Sequence, residues 1–195
     1  MTALVSVNAN IFVDTNVFVY SRDAAQTTKQ RIAAQWLGDL WKEQNGRTSA
    51  QVLSEYYVTL TRKLKPGLKS ELAWDDVQAL MAWDPQPIDS ELLASAREVE
   101  RRYKIGWWDS MIVAAAQLQS CVVLLSEDMQ DGMVFGRVTV RNPFSLQVAD
   151  AKVEYRAVAQ TRVRHRERGR PRRSTDVDNL GRKPLRSGAF ATAVR

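Results

Sequence analysis

Two short runs, Ile11–Val13 and Val122–Leu125, are apolar at every position rather than at every second one. A strand with one face in water alternates; one that is apolar throughout must be covered on both faces, as happens where helices cross over both sides of a parallel sheet. Helical patterns stand between the runs, as that arrangement requires. From Thr28 to Gln44, Ile32, Ala33, Trp36, Leu37, Leu40 and Trp41 recur at spacings of three and four, and Gly46 stands where a C-terminal cap is expected. Arg47–Ser49 reads as a short strand. A second helix over Ala50–Leu64 places Leu53, Tyr57, Leu60 and Leu64 on one face and ends at Pro66-Gly67. Ser70 is the expected cap of a third helix reaching Met81, with Glu71, Asp75 and Asp76 as surface acids near its start. Asp89 is the expected cap of a fourth, whose apolar face is Leu92, Leu93, Ala96 and Val99, and a turn at Ile105-Gly106 separates it from a fifth, Trp108–Gln119.

The stretch after the first run, residues 17–20, is again β-branched and aromatic, so a buried strand ending near Asp14 and then a loop through Arg22 and Asp23 are expected. Val138–Arg141 reads as a short edge strand before Asn142-Pro143-Phe144. The fold class predicted is α/β: a three-layer α/β/α sandwich with a central, mainly parallel sheet.

A chain of 195 residues, 45% hydrophobic, can bury one sizeable core. Its charge divides unevenly. Residues 1–150 carry 15 Lys and Arg against 18 Asp and Glu, a balance of −3, whereas residues 151–195 carry 13 against 4, a balance of +9. The expected organisation is one folded domain over residues 1–148 and an Arg-rich extension over 149–195 that lacks apolar periodicity and reads as disordered. Such an extension would give salt-dependent affinity for nucleic acid, and it equally suits an unselected tail. No apolar run approaches the roughly 18 residues of a membrane span, and the N-terminus lacks a basic segment followed by an apolar core, so a cytoplasmic protein that does not engage a membrane is expected. The single cysteine, Cys121, lies in an apolar run and reads as a core residue.

Against this background four carboxylates need explaining. Asp14 interrupts the apolar run IFVDTNVFVY, and Asp128 follows three residues after Leu125. Ligands of open α/β sheets bind beyond the carboxyl ends of the strands, so both acids are expected to face one crevice. Glu55 falls off the apolar stripe of its helix, and Asp109 opens another helix. Four carboxylates a few ångströms apart would repel and be driven to protonate unless a cation joined them. With one His and one Cys in the chain, Zn²⁺ lacks its preferred ligands, while carboxylates and waters suit Mg²⁺ or Mn²⁺. Acid clusters holding such ions commonly cut phosphodiesters.

Four segments in order, FVDTNVFVYSRD, SAQVLSEYYVTLTRK, YKIGWWDSMIVAAAQ and LLSEDMQDG, followed by VRNPF, resemble the PIN-domain ribonucleases, and within them the toxins of the VapBC toxin-antitoxin systems. The resemblance covers about residues 10–145. It implies metal-dependent endonucleolytic cleavage of RNA leaving a 5′-phosphate and a 3′-hydroxyl. The family's acids fall on Asp14, Glu55, Asp109 and Asp128, with Ser126 in its Ser/Thr-x-Asp pattern. Asp14 and Asp109 are implied as direct metal ligands; Glu55 and Asp128 would act directly or through water. Thr15 and Asn16 are candidate donors that orient Asp14. Asp131 is a further candidate acid, and Glu127 is expected to face solvent. An antitoxin partner and a homodimer are implied as well.

Other readings accompany these. A non-toxin nuclease acting on structured RNA or DNA would use the same acids, and a non-catalytic domain could bind RNA or a partner. Phosphatases of the haloacid dehalogenase type also start from a strand-end Asp, but they need a second Asp two residues later, where this chain has Asn16. Tyr56, Tyr57, Tyr103, Trp107 and Trp108 could stack on bases, although aromatic residues at helical spacing are expected in the core or a dimer contact. Arg62, Lys63 and Lys65 could touch RNA backbone or serve only the negative end of their helix.

Overall fold

The computed structural model describes residues 9–145. The expected domain boundary at residue 148 and the Arg-rich extension lie outside the described residues. Strand β1 (Ile11–Val13) is followed by helices α1 (Thr15–Arg22) and α2 (Thr27–Glu43), then by β2 (Gly46–Arg47). Helix α3 (Ala50–Val58) runs on into a π-helical turn at Thr59–Lys63. Then come α4 (Ser70–Leu80) with a 3₁₀ turn at Met81–Trp83, α5 (Ser90–Tyr103), α6 (Trp107–Leu118), β3 (Val123–Leu125), β4 (Val134–Phe135) and β5 (Val138–Arg141).

The strands form one sheet in the order β2-β1-β3-β5-β4, parallel except for the β4–β5 pair. Phe12 pairs with Arg47 on one side and Leu124 on the other. After β1 the chain first adds β2 on one flank, then crosses through α3 to α6 to add β3 on the other, which makes the carboxyl end of β1 the switch point of the sheet. Every residue of β1 and β3 is buried, as the unbroken apolar runs require. The sheet flanked by six α-helices is the predicted three-layer α/β/α sandwich. Among the described residues no helix is long and apolar enough to cross a membrane.

Several expectations need correction. Residues 15–22 form α1 instead of a loop, because Val17 and Phe18 bury one face. β-branched residues oppose a helix by only tenths of a kcal/mol each, whereas burying one large apolar side chain contributes about 2 kcal/mol. Gly46 does not cap α2; Gln44 does, in the left-handed region at φ 55°. Gly46 is needed for another reason: a Cβ there would meet the Trp83 ring at 2.6 Å. That ring joins Phe18 and Trp41, each at a centroid distance of 5.7 Å. β5 lies inside the sheet, between β3 and the β4 edge. Ser70 is the first helical residue, preceded by Lys69 without a side-chain cap, and Leu93 is exposed. Asp89 does cap α5 by accepting from the Leu92 N–H, and Cys121 is fully buried.

Asp76 is not ordinary surface. Its carboxylate accepts from the Arg22 guanidinium, with one contact at 2.8 Å, and from the Tyr56 hydroxyl at 3.0 Å. This brace joins the end of α1 to α3 and α4, and so fixes the helix that starts at Asp14 against the helix that carries Glu55.

Candidate active site

Asp14 stands at the switch point, extended at φ −80° and ψ 161°, and its side chain accepts from the Thr15 N–H at 2.6 Å. The Asp14 N–H donates to the Leu125 carbonyl and the Ser126 N–H to the Arg141 carbonyl, so the ends of three strands set these two residues side by side. Ser126, fully buried, donates its hydroxyl proton to Asp14 Oδ2 at 2.7 Å. Asn16 Nδ2 lies 3.1 Å from the same oxygen, 3.2 Å from Asp128 Oδ2 and 3.4 Å from Ser126 Oγ, while Asn16 Oδ1 accepts from the Glu127 N–H at 3.2 Å. Thr15 Oγ1 donates to Glu55 Oε2 at 3.2 Å, and Gln51 Nε2 donates to Glu55 Oε1 at 2.9 Å.

Burial dominates the electrostatics of Asp14 and pushes its carboxyl up from 3.8 to about 6. The bonds from Ser126 and Thr15 pull the other way, and the charges of Asp128 and Glu55 push it further up. Asp109, in the first turn of α6, is also raised, by desolvation first and then by the charges of Asp128 and Glu55. Asp14 and Asp109 therefore each feel the charges of the same two acids, Asp128 and Glu55. Among the described residues no three His, Cys, Asp or Glu side chains stand close enough to form a ready-made cage. An all-oxygen donor set of one buried and three exposed acids nevertheless fits Mg²⁺, which keeps several waters and needs only one or two carboxylates.

Asp131 does not join the cluster through any hydrogen bond; it accepts from the Asn142 N–H at 2.8 Å and so fastens the turn after β5. Glu127, expected in solvent, is gripped by Lys29 Nζ at 2.6 and 2.8 Å, and the same ammonium donates to the Tyr20 hydroxyl at 3.1 Å. Lys29 gave no local signal, since Glu127 lies 98 residues away in the sequence. Gln51 could have been found from its spacing of one helical turn before Glu55. Tyr56 is buried, Tyr103 packs edge-on against Phe135, Tyr57 meets Trp74 edge-on and Trp107 packs against the core. Trp108 departs from the expected core placement: it is 63% exposed, one residue before Asp109.

The family model of the PIN domain matches residues 11–132, the span that holds all four acids. The chain belongs to the PIN domain family. PIN domains are nucleases, and as a family they generally use divalent metals. Among solved structures, this PIN domain is similar to VapC20 of Mycobacterium tuberculosis, a toxin that cleaves the Sarcin-Ricin loop; the two share 21% identity at a TM-score of 0.45, over 61% of this chain and 92% of that one. No curated protein matches the chain.

Proposed function

We propose that this PIN domain is a Mg²⁺- or Mn²⁺-dependent endoribonuclease and the toxin of a type II toxin-antitoxin pair. The observation that carries the nuclease chemistry is that Asp14 and Asp109 each feel the charges of Asp128 and Glu55, with Asp14 raised to about 6, chiefly by burial. Carboxylates that burial and neighbouring charges disfavour in their ionised forms are suited to a cation. The toxin reading rests on the four sequence segments that resemble the VapBC toxins. It brings with it an antitoxin covering the crevice, a homodimer and a cytoplasmic place of action.

In this reading Asp14 and Asp109 hold the ion, and Glu55 and Asp128 complete its surroundings directly or through water. When bound, the ion lowers the pKa of a water and offsets charge on the attacking and leaving oxygens. The protein's part is orientation. Ser126 Oγ, the Thr15 N–H and the Asn16 amide engage Asp14 on both oxygens, which fixes its plane and leaves lone pairs for the crevice. Gln51 and Thr15 fix Glu55 in the same way. Water adds to the phosphorus, the bond to the 3′-oxygen breaks, and the products are a 5′-phosphate and a 3′-hydroxyl. Glu55 or Asp128, both exposed, would take up the proton that the attacking water releases, and the departing 3′-oxygen would take one from solvent.

Matched RNA and DNA oligonucleotides incubated with Mg²⁺ or Mn²⁺ test the reading. Cleavage of RNA that EDTA stops is the expected result. Cleavage that persists in excess EDTA would overturn the metal dependence, and faster cleavage of DNA would overturn the substrate.

A further inference from the structure

An acidic crevice needs help to hold a polyanion. Between Glu55 and Glu71 the sequence contains no acid but four cations, Arg62, Lys63, Lys65 and Lys69. All four are exposed, and none forms an ion pair with another described residue. Four cations elsewhere are paired, Arg22 with Asp76, Lys29 with Glu127, Arg97 with Glu100 and Arg101 with Glu98, whereas none of this run is.

The π-helical turn decides where these cations point. The Leu64 N–H donates to the Thr59 carbonyl at 2.9 Å, five residues back, so this turn takes up one more residue than an α-turn. In an uninterrupted α-helix Lys63, eight residues after Glu55, would be rotated about 80° away from it. With one residue absorbed, the offset falls to about 20°, and Lys63 lies two turns, about 11 Å, along the stripe that starts at Glu55. The segment beyond folds back: the Leu68 N–H donates to the Leu60 carbonyl at 2.9 Å, which gathers Lys65 and Lys69 beside the same turn. Attraction of Lys and Arg to a helix C-terminus accounts for the presence of cations. It does not account for a π turn that brings one of them into line with Glu55, nor for four in succession without an acid.

We infer that the π turn and its four cations form a track for the sugar-phosphate backbone of single-stranded RNA, gripping the strand to one side of the phosphate that is cleaved at the carboxylates. This inference rests on the nuclease reading above and names how that site holds its substrate.

The test compares the intact protein with the triple variant Arg62→Gln/Lys63→Gln/Lys65→Gln and with a control of equal charge change, Arg97→Gln/Arg101→Gln/Arg102→Gln. Cleavage of a single-stranded RNA with Mg²⁺ is followed from 50 to 200 mM salt. For the track variant, KM should rise about tenfold with kcat unchanged, and the plot of log KM against log salt should become shallower by about 2, since each phosphate that a cation no longer neutralises takes about 0.7 from the slope. Lys63→Arg should behave as the parent. An unchanged KM and slope, or an equal loss in the control, would overturn the track. Affinity for a labelled RNA, measured by anisotropy in an Asp14→Asn background, separates the two proposals. If the parent fails to cleave RNA while the Asp14→Asn protein binds it through the track, the nuclease reading falls and the track stands.

Discussion

Asp14 and Asp109 each feel the charges of Asp128 and Glu55 and are held in opposite ways. Asp14 is buried at the ends of β1 and β3 and accepts from a backbone N–H, a hydroxyl and an amide, so its orientation follows from the sheet itself. Asp109 lies exposed in the first turn of α6, and no hydrogen bond from another described residue reaches its side chain. The site therefore has a fixed half and an adjustable half. The fixed half is costly to the fold, since every bond there serves a charge taken out of water. The adjustable half costs the fold little.

The largest effect expected from this contrast is that of Asp14→Asn. Cleavage should fall at least about a thousandfold. The same change should stabilise the metal-free protein at pH 8. A carboxyl raised from 3.8 to about 6 on folding leaves stability intact below pH 3.8 and removes it as pH rises through about 6, by about 3 kcal/mol in all. Urea denaturation from pH 4 to 8 should show that decline in the parent and a flatter profile in Asp14→Asn; an equally steep profile in both would erase the distinction between the two halves.

Ser126→Ala comes next. Loss of its hydroxyl removes the strongest bond that favours ionised Asp14, so the acid limb of the pH-rate profile should move to higher pH, with a loss of about 10- to 100-fold in activity or metal affinity. Asp128→Asn probes the adjustable half. It takes away the nearby charge that most raises Asp109, so the titration of Asp109, followed by NMR, should move down while stability changes by no more than about 0.5 kcal/mol. The smallest effect belongs to Asp131→Ala: about 1 kcal/mol of stability from the bond to the Asn142 N–H, with cleavage within about twofold of the parent. A large loss of cleavage there would return Asp131 to the site.

The fixed half was also the more legible in the sequence. Unbroken apolar runs announced β1 and β3, and an acid or a serine just beyond each run could only stand at the strand ends. Helices α2 and α5 followed from apolar spacing, α5 also from the Asp89 cap, and α6 from the turn at Ile105-Gly106 and its run of Ala, Ile and Val. Helix α1 did not, because eight residues rich in Val, Phe and Tyr carry a local preference for strand that burial of Val17 and Phe18 overrules. The β4 edge escaped for the opposite reason: two residues are too few for any pattern. Contacts between distant residues left no trace in the sequence. Asn16 could be proposed as a donor to its near neighbour Asp14, but its reach to Asp128, 112 residues away, depends on where the sheet ends.

Asn16 also carries a matter of simple counting. Its amide nitrogen has two hydrogens, and three acceptors stand within 3.4 Å: Asp14, Ser126 and Asp128. Two of the three have other donors: Ser126 Oγ accepts from the Met129 N–H at 3.4 Å, and Asp14 accepts from Ser126 and Thr15. Asp128, exposed, has no other hydrogen bond among the described residues, so removing the Asn16 amide would release Asp128 before it released Asp14.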